Sequence, residues 1–179
     1  MAVAAGTPVF DRIAEEAAAE SALWTASLLP GDERQLLVVF SPLASPRFHL
    51  GVETIYEGYL LHYGRPRLFA PADADTALLL GDYLYAHGLV RIAATGCVEA
   101  VHDLAELISL CAQARADGGP GEAEAWAATT ARLGEGGLDE ARLVLRENRD
   151  PSALDVVARL SAGDEAVERA CAAHDPRVG

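Results

Sequence analysis

The sequence predicts an all-α protein built as a helical bundle. Apolar residues recur at three- and four-residue spacing through most of the chain. Glycine and proline punctuate it at intervals that suit helices of ten to twenty residues. One short β-branched run, Leu-Leu-Val-Val-Phe at residues 36–40, reads equally as strand or buried helix, and no second convincing strand is present to pair with it.

Taken in order, Thr7-Pro8 marks the first helix start, a capping hydroxyl followed by a residue that needs no N–H donor in the first turn. Phe10, Ile13, Ala17, Trp24 and Leu28 carry that helix to Leu29, and Pro30-Gly31 stops it. Residues 36–40 are assigned to helix for want of a partner strand. Pro42 and Pro46 break the chain, and a third helix covers 48–63, ended by Gly64-Arg65-Pro66. Asp73 and Asp75 precede the longest apolar helix, 76–95; an N-capping role is expected of Asp there. Its apolar positions are Leu79, Tyr83, Ala86, Val90 and Ala93, with Leu80, Leu84 and His87 beside them, so burial on more than one side is expected. Residues 98–116 form an amphipathic helix with Val101, Leu104, Ile108 and Cys111 inward. Shorter helices follow at 122–133, 138–148, 151–160 and 164–173. The glycines at 134, 136 and 137 make the best linker, dividing a bundle core at 1–133 from short C-terminal helices at 138–179 that pack on the bundle or extend it.

Composition narrows the function classes. Formal charge is −13 at pH 7, and all fourteen basic residues are arginine. Such a field repels phosphate backbones and anionic lipid, so neither nucleic acid nor a membrane is an expected partner. Without lysine there is no Schiff-base nucleophile. Cys97, Cys111 and Cys171 are odd in number and lack metal-ligand spacing, which suits unpaired thiols. The N-terminal residues lack a basic, then apolar leader, and no run approaches the roughly 20 apolar residues of a membrane span. A cytoplasmic protein is expected.

Two segments carry a resemblance. Glu53-Thr54-Ile55-Tyr56-Glu57-Gly58-Tyr59-Leu60-Leu61-His62 is similar to the trans-polyprenyl diphosphate synthase helix that runs E-L-I-H-T-x-S-L-I-H into the first Asp-rich motif. Ala77-Leu78-Leu79-Leu80-Gly81-Asp82-Tyr83-Leu84 is similar to the family's A-x-L-x-G-D-x-L. Residues 98–116 look like the helix that follows, and 31–39 (GDERQLLVV) are a weaker echo of G-K-R-L-R-P-L-L-V. The resemblance spans about residues 31–118. It implies a truncated helical bundle of isoprenoid-synthase type, with a dimer interface on the Gly81–Asp82 helix at Tyr83, Leu84, His87 and Val90.

The departures bear on chemistry. Tyr63 and Gly64 stand where the family has two aspartates after the histidine, and the loop that follows is shorter. In a competing register Gly64-Arg65-Pro66 is the remnant of R-R-G-x-P, which puts Glu53, Thr54 and Glu57 where D-D-x-x-D belongs. The second Asp-rich motif has no counterpart, and Asp32 and Glu33 replace the basic pair. Ionising an allylic diphosphate takes divalent metals held by facing carboxylates, and cations on the diphosphate. Autonomous prenyl transfer is therefore not expected, and no cofactor is. The expectation is a non-catalytic or partner-dependent polyprenyl-synthase-like subunit, a pseudoenzyme acting by helix–helix association as a homodimer or as a heterodimer with a full-length prenyl synthase.

Two other readings stay open. A binding module would hold an isoprenoid or other apolar ligand in a pocket lined by Tyr56, Tyr59, Tyr83, His62 and His87, although core packing is the ordinary role of such residues. A reduced prenyltransferase would place Mg2+ on Glu53, Glu57 and Asp82, with Arg65 and Arg67 on the diphosphate. His49, Glu53 and Glu57 recur every four residues and so share a helix face. A solvated polar stripe with a His-to-Glu pair is expected there in preference to a metal site.

Overall fold

The computed structural model describes residues 7–178. Among them the chain is all-helical, with no named strand. The helices are α1 (Thr7–Glu20), α2 (Ala22–Ala26), α3 (His49–Tyr63), α4 (Ala74–Ala93), α5 (Val98–Asp117), α6 (Glu122–Ala131), α7 (Asp139–Asn148), α8 (Ser152–Ala162) and α9 (Asp164–Val178). No helix is long and apolar enough to cross a membrane.

Several expected boundaries move for local reasons. The first helix does not run to Leu29. It stops at Glu20, because the Ser21 hydroxyl accepts from Leu23 N at 3.1 Å and caps the short α2; a serine that bonds its own neighbouring backbone competes with the helix. Capping by the Thr7 hydroxyl lies outside the described side chains. Residues 36–40 are not a helix either. The chain there is irregular, and Leu37 O accepts from the Arg67 guanidinium at 2.9 Å. The β-branched run follows its extended preference once a side chain supplies the hydrogen bond a helix would have provided. Asp73 does cap α4, its Oδ1 accepting from Thr76 N at 2.7 Å. That bond holds the Asp73 carboxyl below its ordinary value. Helix α9 continues past Ala173 to Val178, with Pro176 in its final turns.

Helix α3 is the axis of the bundle. Every residue from Gly51 to Leu61 is buried. One side meets α4 along a seam of small residues. A methyl group on Gly58 would lie 2.9 Å from Gly81 O, and one on Gly88 would lie 3.1 Å from Gly51 O and 2.4 Å from Ile55 Cγ1. The two backbones are therefore as close as glycine permits, which leaves no room for an apolar pocket along the seam. A second side of α3 carries Tyr56 and Tyr59 into a core shared with α5, α6, α8 and α9. The α1 residues Phe10, Ile13 and Ala17 close a smaller cluster with Trp24, Leu68, Phe69, Leu80 and Leu84. The loop at 134–137 is tied back to the bundle, since Gly134 N donates to Asp103 Oδ2 at 3.0 Å.

Helix α4 corrects the sequence in a further respect. Its buried positions are Thr76, Leu80, Gly81, Leu84, Gly88 and Ile92. The apolar stripe read from the sequence, Leu79, Tyr83, Ala86, Val90 and Ala93, points away from α3; Tyr83 packs against Trp24 and the others face solvent. Leu79 and Val90 are 56% and 65% exposed.

The glycine seam makes a direct prediction. Gly58→Ala drives a methyl group into a carbonyl oxygen that cannot move without shifting α4. It should destabilise the fold by about 1–3 kcal/mol, the range for overpacking a filled core. Gly31→Ala, with nothing within 4 Å of the added carbon, should change stability by less than about 0.5 kcal/mol. Urea unfolding of both variants beside the parent protein measures the difference.

Candidate functional site

The residues singled out in the sequence fall into three separate places. Glu53 and Glu57, on one face of α3, are fully buried, so the solvated stripe expected there is absent. Arg67 is also fully buried and joins them. Its Nη1 donates to Glu53 Oε2 at 2.6 Å and its Nε to Glu57 Oε2 at 2.9 Å. The remaining carboxylate oxygens hold backbone. Glu57 Oε1 accepts from Arg67 N and Leu68 N, both at 2.8 Å, and Glu53 Oε1 from Ser41 N at 3.4 Å. The guanidinium lies over the Phe10 ring at 4.7 Å and the Tyr56 ring at 4.9 Å. Burial alone would lower the Arg67 pKa; the two carboxylates outweigh it and raise it. His49, expected to join this stripe, instead bonds Ala44 O at 3.0 Å.

Asp82 is elsewhere, on α4 and 66% exposed, 3.3 Å from His62 Nε2. Desolvation lowers the His62 pKa against the pull of Asp82. Arg65 points to the end of α9, donating to Pro176 O. The reduced metal site therefore does not assemble. Glu53 and Glu57 are already committed to Arg67 and to backbone N–H groups, Asp82 is not beside them, and Arg65 and Arg67 diverge. Among the described residues no group of three or more His, Cys, Asp or Glu is arranged to hold a metal ion. These residues do not fit a divalent metal bridging a diphosphate.

The tyrosines divide in the same way. Tyr56 and Tyr59 pack with Trp126, Phe40 and His174 at ring separations of 5.1–5.9 Å. Tyr56 Oη donates to His174 Nδ1 over 2.8 Å if the imidazole is neutral. Neutrality is favoured: burial, then Arg115 and Arg177, pull the His174 pKa down to about 4. Tyr83 lies outside this cluster, against Trp24 and His87. His87 donates to Glu16 Oε2 at 2.9 Å, where Arg91 also bonds at 2.6 Å. Burial of Glu16 opposes ionisation, but the bonds from Arg91, Arg12 and His87 prevail and hold it down to about 2.

Sequence reasoning missed His174, which fell one residue beyond the expected end of the last helix. It also missed the buried pair Asp103–Arg142, 3.0 Å apart. A polar residue at an inward helical position is the signal for both. Helical spacing over 98–116 predicts Asp103 outward; the structure buries it. The exposed part of α4 is the third place: Leu78, Leu79, Ala86, Val90 and Ala93 face solvent, while Leu84, expected at an interface, is buried. Comparison of the chain with protein-family models, curated proteins and solved structures finds no match.

Two outcomes test this geometry. Arg67→Met strands two carboxylates in the core and should cost about 3–5 kcal/mol at pH 7 in chemical unfolding. That penalty should shrink toward pH 5 as a stranded carboxylate takes up a proton. In the parent protein, His174 titrates near 6.5 when unfolded and near 4 when folded. The unfolded state therefore binds more protons between those values, and stability falls as pH drops from 6.5 to 4, by a total on the order of 3 kcal/mol from this group. His62 shifts in the same direction, so His174→Gln should remove only the His174 share of the slope.

Proposed function

We propose that this chain acts by association and not by chemistry: it is a non-catalytic polyprenyl-synthase-like subunit that docks another helical chain along the outer face of α4. The observation that supports this reading is the outer stripe of α4, where Leu79, Ala86, Val90 and Ala93 face solvent around a Tyr83 that is half-buried against Trp24. Its residues alternate at four- and three-residue spacing, the pattern of a coiled-coil seam. Leu79 and Val90 are more than half exposed. Asp82 is the one exposed charge between Leu79 and Ala93, since Arg91 is drawn against Glu16. In a molecule of charge −13, a helix face with so little charge is where a second acidic chain can approach at least electrostatic cost. The small Ala86 and Ala93 let a partner helix lie close.

The resemblance on residues 53–62 and 77–84 suggests the kind of partner. A second copy would meet the stripe isologously, two α4 helices crossing near Ala86. A full-length trans-polyprenyl synthase would offer its own helix of the same register. Burial of Glu53 and Glu57 under Arg67 favours the non-catalytic role, because the position that resembles an Asp-rich motif is spent on holding the fold.

Val90→Asp separates this reading from its rivals. Val90 lies on solvent in the single chain, so the variant should keep its helical fold by circular dichroism. Sedimentation should show a parent dimer, or a complex with an added full-length synthase, and the variant should weaken it at least tenfold. A parent protein that stays monomeric and neither binds the synthase nor shifts its product length would end the proposal.

A further inference from the structure

Arginine in this protein is mostly neutralised. Arg12, Arg67, Arg91, Arg115, Arg132, Arg142, Arg146, Arg159 and Arg169 each pair with a carboxylate. Arg34, Arg47, Arg65, Arg149 and Arg177 have no such partner among the described residues, and of these Arg65 and Arg177 are joined to each other. Arg65 N donates to Arg177 O at 2.8 Å, and the Arg65 guanidinium donates to Pro176 O. Both line one open cavity of about 440 Å³ with Gln35, Leu37, Ala173 and Pro176. The Arg177 Nε is buried and has no hydrogen-bond partner among the described residues. Burial, and next the charge of Arg67, pull the Arg177 pKa below its ordinary value. Arg177 is thus a half-buried cation with no carboxylate hydrogen-bonded to it, on a cavity that the exposed Arg65 also lines.

The cavity continues into a second of about 320 Å³ through the shared Leu37 and Ala173. Beyond them its wall is mainly aliphatic, including Val38, Pro42, Leu43 and Ala170. Arg169 stands on that wall, but it is engaged with Glu165. The groove thus has a cationic end and an apolar run. It lies between α9 and the irregular segment that the Arg67 cluster holds in place, and no residue of it belongs to α4.

We propose that this groove binds an amphiphilic anion, with an oxyanion head between Arg65 and Arg177 and an alkyl tail laid over Leu37, Ala173, Val38 and Leu43. The head meets charge-assisted hydrogen bonds from the exposed Arg65 guanidinium and lies against the half-buried Arg177. The tail covers aliphatic surface in a volume of the size small ligands occupy. The site is independent of association through α4. The overall charge of −13 repels an anionic bilayer, which selects a free amphiphile over a membrane headgroup.

Titration calorimetry of the full chain with decyl phosphate, below its micelle-forming concentration, tests the site. Saturable binding at one site is expected, with inorganic phosphate and 1-decanol each binding at least tenfold more weakly. Arg65→Gln should weaken decyl phosphate at least fivefold. Gln35→Glu, a rim change on an exposed residue that leaves the fold intact by circular dichroism, should also weaken it and flatten the salt dependence. Equal binding of 1-decanol would reduce the groove to apolar surface, and equal binding of inorganic phosphate would remove the tail site; either overturns the proposal. So would a decyl phosphate affinity unmoved by both variants, preferential binding to phosphatidylglycerol vesicles, or no binding at submillimolar concentration.

Discussion

The fold is organised around one buried charge cluster. Arg67 enters a core in which Glu53 and Glu57 are already out of water, and three ions so placed are tolerable only if nearly every polar atom finds a partner. The partners it finds are structural. Glu57 holds the backbone of residues 67–68, Glu53 reaches the Ser41 amide, and the guanidinium takes the Leu37 carbonyl. Two connecting segments without regular structure are thereby fastened to the central helix. The second of them passes the constraint on: Leu29 N donates to Leu68 O and Ala70 N to Ser27 O, which seats the end of α2. The cluster therefore positions loops that helix packing alone would leave undetermined.

The same cluster explains why a position that resembles a metal-binding motif has no metal-binding character. A carboxylate can orient a cation in solvent or accept bonds from a buried guanidinium and amides, and the second use exhausts its lone pairs. In this chain the cationic partner is covalently present and fully desolvated. What the arrangement provides is rigidity in the segment at residues 35–41, which forms one wall of the groove beside α9. Structure and ligand chemistry are linked there through Leu37, whose carbonyl serves Arg67 and whose side chain faces the groove.

The contact of α3 with α4 sets the other constraint. Glycines at 51, 58, 81 and 88 bring the backbones together, and bulkier residues on α4 are then left on its far side. Apolar periodicity on α4 was plain in the sequence, but its direction was not. Two stripes compete on that helix, Leu80, Gly81, Leu84, Gly88 and Ile92 on one side and Leu79, Tyr83, Ala86, Val90 and Ala93 on the other, and apolar content alone does not choose between them. Backbone proximity decides, because interlocking small residues allow a long continuous contact that Leu79 and Val90 would hold apart. An outward coiled-coil-like stripe is the consequence, and it is the feature on which the association proposal rests.

Helical class and most helix positions were legible because they follow from spacing and from local signals such as the Asp73 cap and the Gly64 stop. Those are properties of neighbours in the chain, and short-range physics determines them. The break at Ser21, the irregular course of residues 36–40 and the extension of α9 past Ala173 were less legible, since each turns on a contact or local competition that periodicity does not record. Spacing placed Glu53 and Glu57 together on one face; it could not say that the face would be buried. Only the tertiary structure brought Arg67 to them across 14 and 10 residues of sequence, His174 to Tyr56 across 118, and Arg65 to Arg177 across 112. The energy of a charge depends on the dielectric around it and on which opposite charge lies within a few ångströms, and the amino-acid order alone contains neither quantity.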